Sequence, residues 1–174
     1  MIKIISVLFF LFFVACSFKQ PKYCKLSDDI YFSYNKEICR KNKIYLVGKG
    51  GAMMNDIQTV NAHYVSLELL TIEQARRLYV DVIEGYLCRY NQNVQIRPYL
   101  HDYPFTVENL DVTIRFENGK RAVTDEELVA LIYVGKNNQV IFRAYDLISD
   151  KYTPLYTEPY ETARDIVLKE CRCP

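Results

Sequence analysis

Few side chains in this sequence have the chemistry to act on a substrate, and they are scattered along it. There are two histidines, His63 and His101, six cysteines and no tryptophan. His101-Asp102 lies between Pro98 and Pro104 beside Tyr99 and Tyr103, and a proline-bracketed stretch of this kind reads as an irregular connection. Loops on a rigid scaffold commonly hold sites, so Arg97, Tyr99, His101, Asp102 and Tyr103 are the first place to seek a ligand contact. The plainer reading is that Tyr and Pro here plug the end of the core. His63 falls inside a stretch of strand character. Cys88 with one of the histidines would be the only nucleophile and base for thiol chemistry. Counting 100° per residue, however, puts Cys88 opposite the apolar stripe of its helix, exposed among Arg77, Asp81 and Glu84.

Other candidates fail on spacing. Gly48-Lys49-Gly50-Gly51 lacks the G-x-G-x-x-G of a dinucleotide site and the Lys-Ser/Thr that closes a P-loop, so it reads as a glycine-rich turn. Asp125, Glu126 and Glu127 are three adjacent carboxylates before a strand, the pattern of a solvated turn. Cys171-x-Cys173 is one half of a zinc ligand set without a second half. No catalytic set, cofactor or metal site is therefore expected.

The amino terminus is more informative. Lys3 supplies one positive charge, and Ile4 to Ala15 is apolar except for Ser6, which is the layout of an export signal. Twelve residues fall short of the ~20 that a membrane-spanning helix needs, so residues 1–15 read as a removable leader. Phe13-Val14-Ala15-Cys16 resembles the lipobox of bacterial lipoproteins. The resemblance covers the leader and Cys16 alone; it implies cleavage ahead of Cys16, diacylation of its thiol with palmitate-type chains, and a place in the bacterial cell envelope on the extracytoplasmic side. Ser17 rather than Asp after that cysteine implies the outer membrane. The competing processing site pairs Ala15 with Ser17 as small residues and would release a soluble protein. With Cys16 acylated, Cys24, Cys39, Cys88, Cys171 and Cys173 remain, an odd number in a compartment that permits disulfides, so one thiol stays free or pairs with another chain. Closure of Cys24 or Cys39 onto the Cys171/Cys173 pair would clamp both chain ends to the domain.

The elements that would position these residues follow from periodicity. Residues 16–43 are polar and basic and read as a tether, leaving 44–174 as a single domain. Ile44 to Val47 and Val60 to Leu69 read as strands. Thr71-Ile72-Glu73-Gln74 has the form of a capping box, and Ala75, Tyr79, Val82, Ile83, Tyr86 and Tyr90 then recur at helical spacing. Val112, Ile114 and Phe116 alternate with polar residues as in a half-buried strand, closed by Asn118-Gly119 as a tight turn. Leu128 to Val134 and Val140 to Tyr145 form a hairpin, and Pro159 opens a short last helix. The expected fold is α+β: an antiparallel sheet of about four strands, one long amphipathic helix on a face, and a short C-terminal helix. That element order resembles cystatin-like rolls, in which a sheet wraps around one helix.

Charge narrows the partners. Ser17 to Lys43 carries seven basic and three acidic residues, whereas from Ile44 onward fourteen basic face eighteen acidic ones. The mildly acidic domain disfavours nucleic acid, and the basic stretch beside the anchor suits anionic headgroups. Fifteen tyrosines include Tyr152, Tyr156 and Tyr160, which read as an exposed amphipathic patch. The preferred expectation is a lipid-anchored, non-enzymatic module that binds another envelope or host protein. Its rivals are an envelope hydrolase built on His101, Asp102 and a nearby Glu, and a soluble secreted effector.

Overall fold

The computed structural model describes residues 20–117 and 128–170; the leader, Cys16, the Asn118-Gly119 turn, the Asp125 to Glu127 acids and the Cys171/Cys173 pair lie outside them. Two helices, not one, dominate. Lys22–Asn42 forms α1 and Ile72–Gln92 forms α2, each of 21 residues. At α2 both bonds of the capping box are present, the Gln74 N–H donating to Thr71 Oγ1 and the Thr71 N–H to Gln74 Oε1. Tyr79, Val82, Ile83, Tyr86 and Tyr90 are all fully buried, as the periodicity requires.

Helix α1 replaces most of the expected tether. Ser27, Ile30, Tyr31, Tyr34, Asn35 and Ile38 form its buried side, a helical spacing carried by tyrosines and small polar residues instead of aliphatics. Those polar atoms make the stretch read as solvated, yet inside the fold each finds a partner. Asn35 Nδ2 donates to the Tyr86 hydroxyl at 2.7 Å, Tyr64 donates to Asn35 Oδ1 at 2.5 Å, and the Tyr64 and Tyr86 oxygens are 2.9 Å apart. Ser27 and Tyr90 pair at 2.8 Å. Tyr34 donates to the Val82 carbonyl at 2.9 Å across Gly85, where an added Cβ would sit 2.1 Å from the Tyr34 oxygen. A buried hydroxyl costs free energy unless it is bonded, so this network gives the α1–α2 contact a defined register.

The strands are β1 Ile44–Ala52, β2 Thr59–Ser66, β3 Leu110–Phe116, β4 Leu131–Val134, β5 Gln139–Asp146 and β6 Lys151–Pro159. They form one six-stranded sheet in sequence order. Neighbours are antiparallel except β2 and β3, which are parallel because α2 crosses between them. The fold is α+β, but the expected four-stranded antiparallel sheet is a mixed one of six. The glycine run 48–51 is not a turn: β1 continues through it, paired to β2 past an irregularity between Leu46 and Gly48. Strand β6 carries Pro154 and Pro159, which argue against a strand interior but are tolerated at a sheet edge. The last helix, α3, spans Tyr160–Glu170. Among the described residues three helices, not the single one of a cystatin-like roll, cover the sheet.

The three described helices lie on one face. Tyr79 of α2 donates to the Val112 carbonyl of β3, Tyr64 of β2 meets α1 and α2, and Arg76 of α2 contacts Glu158 of β6 at 2.6 Å. Val60, Ala62, Val112, Ile114, Ile132, Val140 and Phe142 supply the sheet side of this core. Alternation along the strands sends the next residues to the opposite face, over which no described helix lies.

Candidate functional site

The connection from Arg97 to Tyr103 sits where α2 ends, beside the β1–β2 turn and the first turn of α1. Tyr99 is tied to Ile57 by a backbone bond of 2.7 Å and packs its ring 5.8 Å from that of Tyr23. The Arg97 guanidinium lies 5.3 Å over the ring of Tyr103, and its Nε donates to the Asn91 carbonyl. His101 contacts an acid, but not its sequence neighbour: Nδ1 is 2.7 Å from Asp56 Oδ2. Asp102 instead accepts from Asn109 at 3.0 Å. The hydrogen bond and charge of Asp56 raise the His101 pKa above its ordinary value, and the same bond lowers that of Asp56. Nothing in sequence spacing pointed to Asp56, which lies 45 residues away and arrives through the β1–β2 turn. Among the described residues no hydroxyl or thiol hydrogen-bonds the imidazole and no group of three His, Cys, Asp or Glu side chains converges. The pair orients a proton carrier without supplying a nucleophile.

A groove of about 840 Å³ opens between the end of α1, the start of α2 and α3, with Leu70, Leu78 and Val167 in its lining. Its rim charges are matched to one another, Lys41 to Asp81 at 2.8 Å, Lys43 to Glu68 at 2.9 Å and Glu84 to Arg164 at 2.8 Å. Glu84 also accepts from the buried Tyr160, which therefore takes no part in the exposed tyrosine patch expected with Tyr152 and Tyr156. Tyr152 and Tyr156 are exposed.

The sheet face over which no described helix lies is the more distinctive surface. Register places Tyr45, Val65, Arg115, Leu131 and Arg143 in one cross-strand row, and His63, Thr113, Tyr133 and Ile141 in the next. Arg143 donates from Nε to the Tyr133 hydroxyl at 3.1 Å and from a terminal nitrogen to the Tyr152 carbonyl at 3.4 Å. Tyr145 and Tyr152 meet edge to face at 5.1 Å. Arg115 pairs with Glu117 at 2.6 Å. Beyond Tyr145, the β5–β6 turn holds Leu147 and Ile148 in solvent, Ile148 being 98% exposed, while Asp146 accepts from the Ile148 N–H and from Ser149. The strand residues that form this surface read individually as ordinary half-buried positions, and only pairing brings them together. The alternation of β3 and β5 was the available signal.

Among the described residues Cys24, Cys39 and Cys88 are free thiols; Cys171 and Cys173, the expected partners of Cys24 or Cys39, lie outside them. Cys88 is exposed on α2, as its helical phase requires, and burial raises the pKa of the Cys39 thiol. Comparison with protein-family models, curated proteins and solved structures finds no match to this chain.

Proposed function

We propose that the protein is an exported lipoprotein, anchored in the bacterial envelope through acylated Cys16, whose domain is a non-enzymatic module that binds another envelope or host protein. The observation that carries the reading is the asymmetry of the sheet: one face takes the three described helices, while the other presents Tyr133, Arg143, Tyr145 and Tyr152 in mutual contact. Tyr and Arg dominate the energetics of protein interfaces, because rigid amphipathic rings and a planar guanidinium gain much area and hydrogen bonding for little lost freedom. Contacts within the cluster hold these side chains in place before a partner arrives, which lowers the ordering cost of binding.

A photoreactive amino acid at Tyr133 or Tyr152 in the full-length protein, expressed in its envelope, tests the reading. One discrete protein adduct from these positions and none from Cys88, on the helical side, is the expected result. Equal labelling from all three, or none, counts against it. The intact mass of the mature N-terminus separates an acylated Cys16 from release by ordinary signal peptidase, which would make the domain a soluble effector. The hydrolase built on His101 and Asp102 has less support, since Asp102 is engaged by Asn109 and Asp56 has taken its place.

A further inference from the structure

The anchored reading has a geometric consequence for which end of the domain meets lipid. Cys16 precedes Lys22, the first residue of α1, by six residues, a reach of at most ~21 Å when fully extended. Helix α1 is ~30 Å long at 1.5 Å per residue, so the end of the domain where α1 finishes lies farther from the start of α1 than the tether can stretch. What surrounds the start of α1 is the loop end: Tyr23 donates to the Met54 carbonyl at 2.7 Å, and its ring stands beside Tyr99. This end carries exposed apolar side chains that the core does not use, Met54 at 84%, Val94 at 71% and Tyr103 at 54% exposure. Lys22 and Lys25 are exposed on the first turn of α1, and Arg97 lies against Tyr103. Of the nearby acids, Asp28 is paired with Lys49 and Asp56 with His101, Asp102 and Glu108 accept from the amides of Asn109 and Asn138, and Asp29 is exposed. The Ile148 turn lies about one strand length away, since β5 runs from the Asn138 end to Asp146.

Resting on acylation of Cys16, the geometry points to the Met54, Val94, Arg97 and Tyr103 surface as a docking face for the anionic lipid headgroups of the membrane that holds the anchor. Apolar and Tyr tips enter the interface, basic side chains stay at the phosphates, and the Tyr-Arg sheet surface with its Ile148 turn is held outward toward a protein partner. Tyr103 and its neighbours, legible from the sequence as a ligand-contact loop, are thereby assigned a lipid surface as their ligand.

The absence of tryptophan makes the test clean. Full-length acylated protein with a single Met54→Trp, Val94→Trp, Tyr103→Trp or Ile148→Trp change is reconstituted into phosphatidylglycerol-containing vesicles whose acyl chains are brominated near the headgroup. Tryptophan at 54, 94 and 103 is expected to shift to the blue and to be quenched severalfold more than at 148. Quenching at 148 equal to or above the other three, in protein whose mass carries the acyl chains, overturns the orientation and leaves the anchor standing. A mass without acyl chains on Cys16 overturns the anchor and the orientation together. Loss of the preferential quenching in vesicles of neutral lipid alone is the expected mark of headgroup charge, and its persistence there would remove the anionic requirement.

Discussion

The two faces of the sheet use the same residue for opposite ends. On the helical face Tyr31, Tyr34, Tyr64, Tyr79, Tyr86 and Tyr90 are fully or nearly fully buried, and their hydroxyls bond to one another, to Asn35, to Ser27 or to backbone carbonyls. On the open face Tyr45 and Tyr152 keep solvent access, and Tyr133 and Tyr145 are half-buried beside Arg143 and Tyr152. A tyrosine is a large apolar ring with one polar atom. Where the ring packs between elements and its hydroxyl is bonded inside, it becomes core; on the open face the hydroxyls of Tyr133 and Tyr145 meet Arg143 and Asp150 within reach of solvent.

Breaking this contrast should begin at its centre. Tyr86→Ala removes a ring that touches Tyr34 at 4.6 Å and takes one hydrogen bond each from Tyr64 and Asn35, for an expected loss of about 4 kcal/mol in denaturant unfolding. Tyr133→Ala, on the open face, should cost about 1 kcal/mol or less by the same measurement while abolishing the partner adduct. Comparable losses at the two positions would erase the distinction. Gly85→Ala is the next step down. Alanine favours a helix, but here its Cβ collides with the Tyr34 hydroxyl, and a net destabilisation of roughly 1–2 kcal/mol is expected. A stabilised variant would mean that α1 is free to slide on α2.

Alkaline titration tests the buried set without mutation. Burial holds the Tyr31 pKa up to about 12 and raises those of Tyr34, Tyr64, Tyr79, Tyr86 and Tyr90 as well. Unfolded tyrosines ionise near pH ~10, so the unfolded chain loses protons first. The stability these groups contribute is whole below that pH and declines as pH rises from there through the folded values. The buried set should therefore ionise together with unfolding, as one cooperative rise in tyrosinate absorbance that coincides with loss of helical circular dichroism. Ionisation of these rings ahead of unfolding would contradict their burial.

The smallest effect concerns His101 and Asp56, both accessible. His101, raised, contributes fully below the ordinary histidine value and loses its contribution as pH climbs through the folded one. Asp56, lowered, contributes above the ordinary carboxylate value and loses its contribution as pH falls through the folded one. Their ion pair is thus strongest between about pH 4 and 6.5. Asp56→Asn should lower the His101 titration, followed by NMR, toward the ordinary histidine value with little change in melting, the charge of Asp102 remaining. An unchanged titration would mean that the pair is not formed in solution.

Local rules read α2, β3, the β4–β5 hairpin and α3 from the chain, because each carries a period or a cap that its neighbours in sequence suffice to define. Thr71 and Gln74 close their box within one turn whatever surrounds them. The exposure of Cys88 follows from helical phase in the same way. Helix α1 was illegible because its buried stripe is made of Tyr, Ser and Asn, whose burial is tolerable only when hydroxyls from α2 and β2 arrive to bond them. Strand β6 was illegible because its prolines are excluded everywhere in a sheet except at the edge, and edge position is a property of the assembled sheet. The same holds for the candidate sites. Residues 97–103 were visible as a loop, but the choice of Asp56 over Asp102 as the partner of His101, and the meeting of Tyr133, Arg143 and Tyr152 on one surface, depend on contacts between segments far apart in the chain, which periodicity and spacing do not encode.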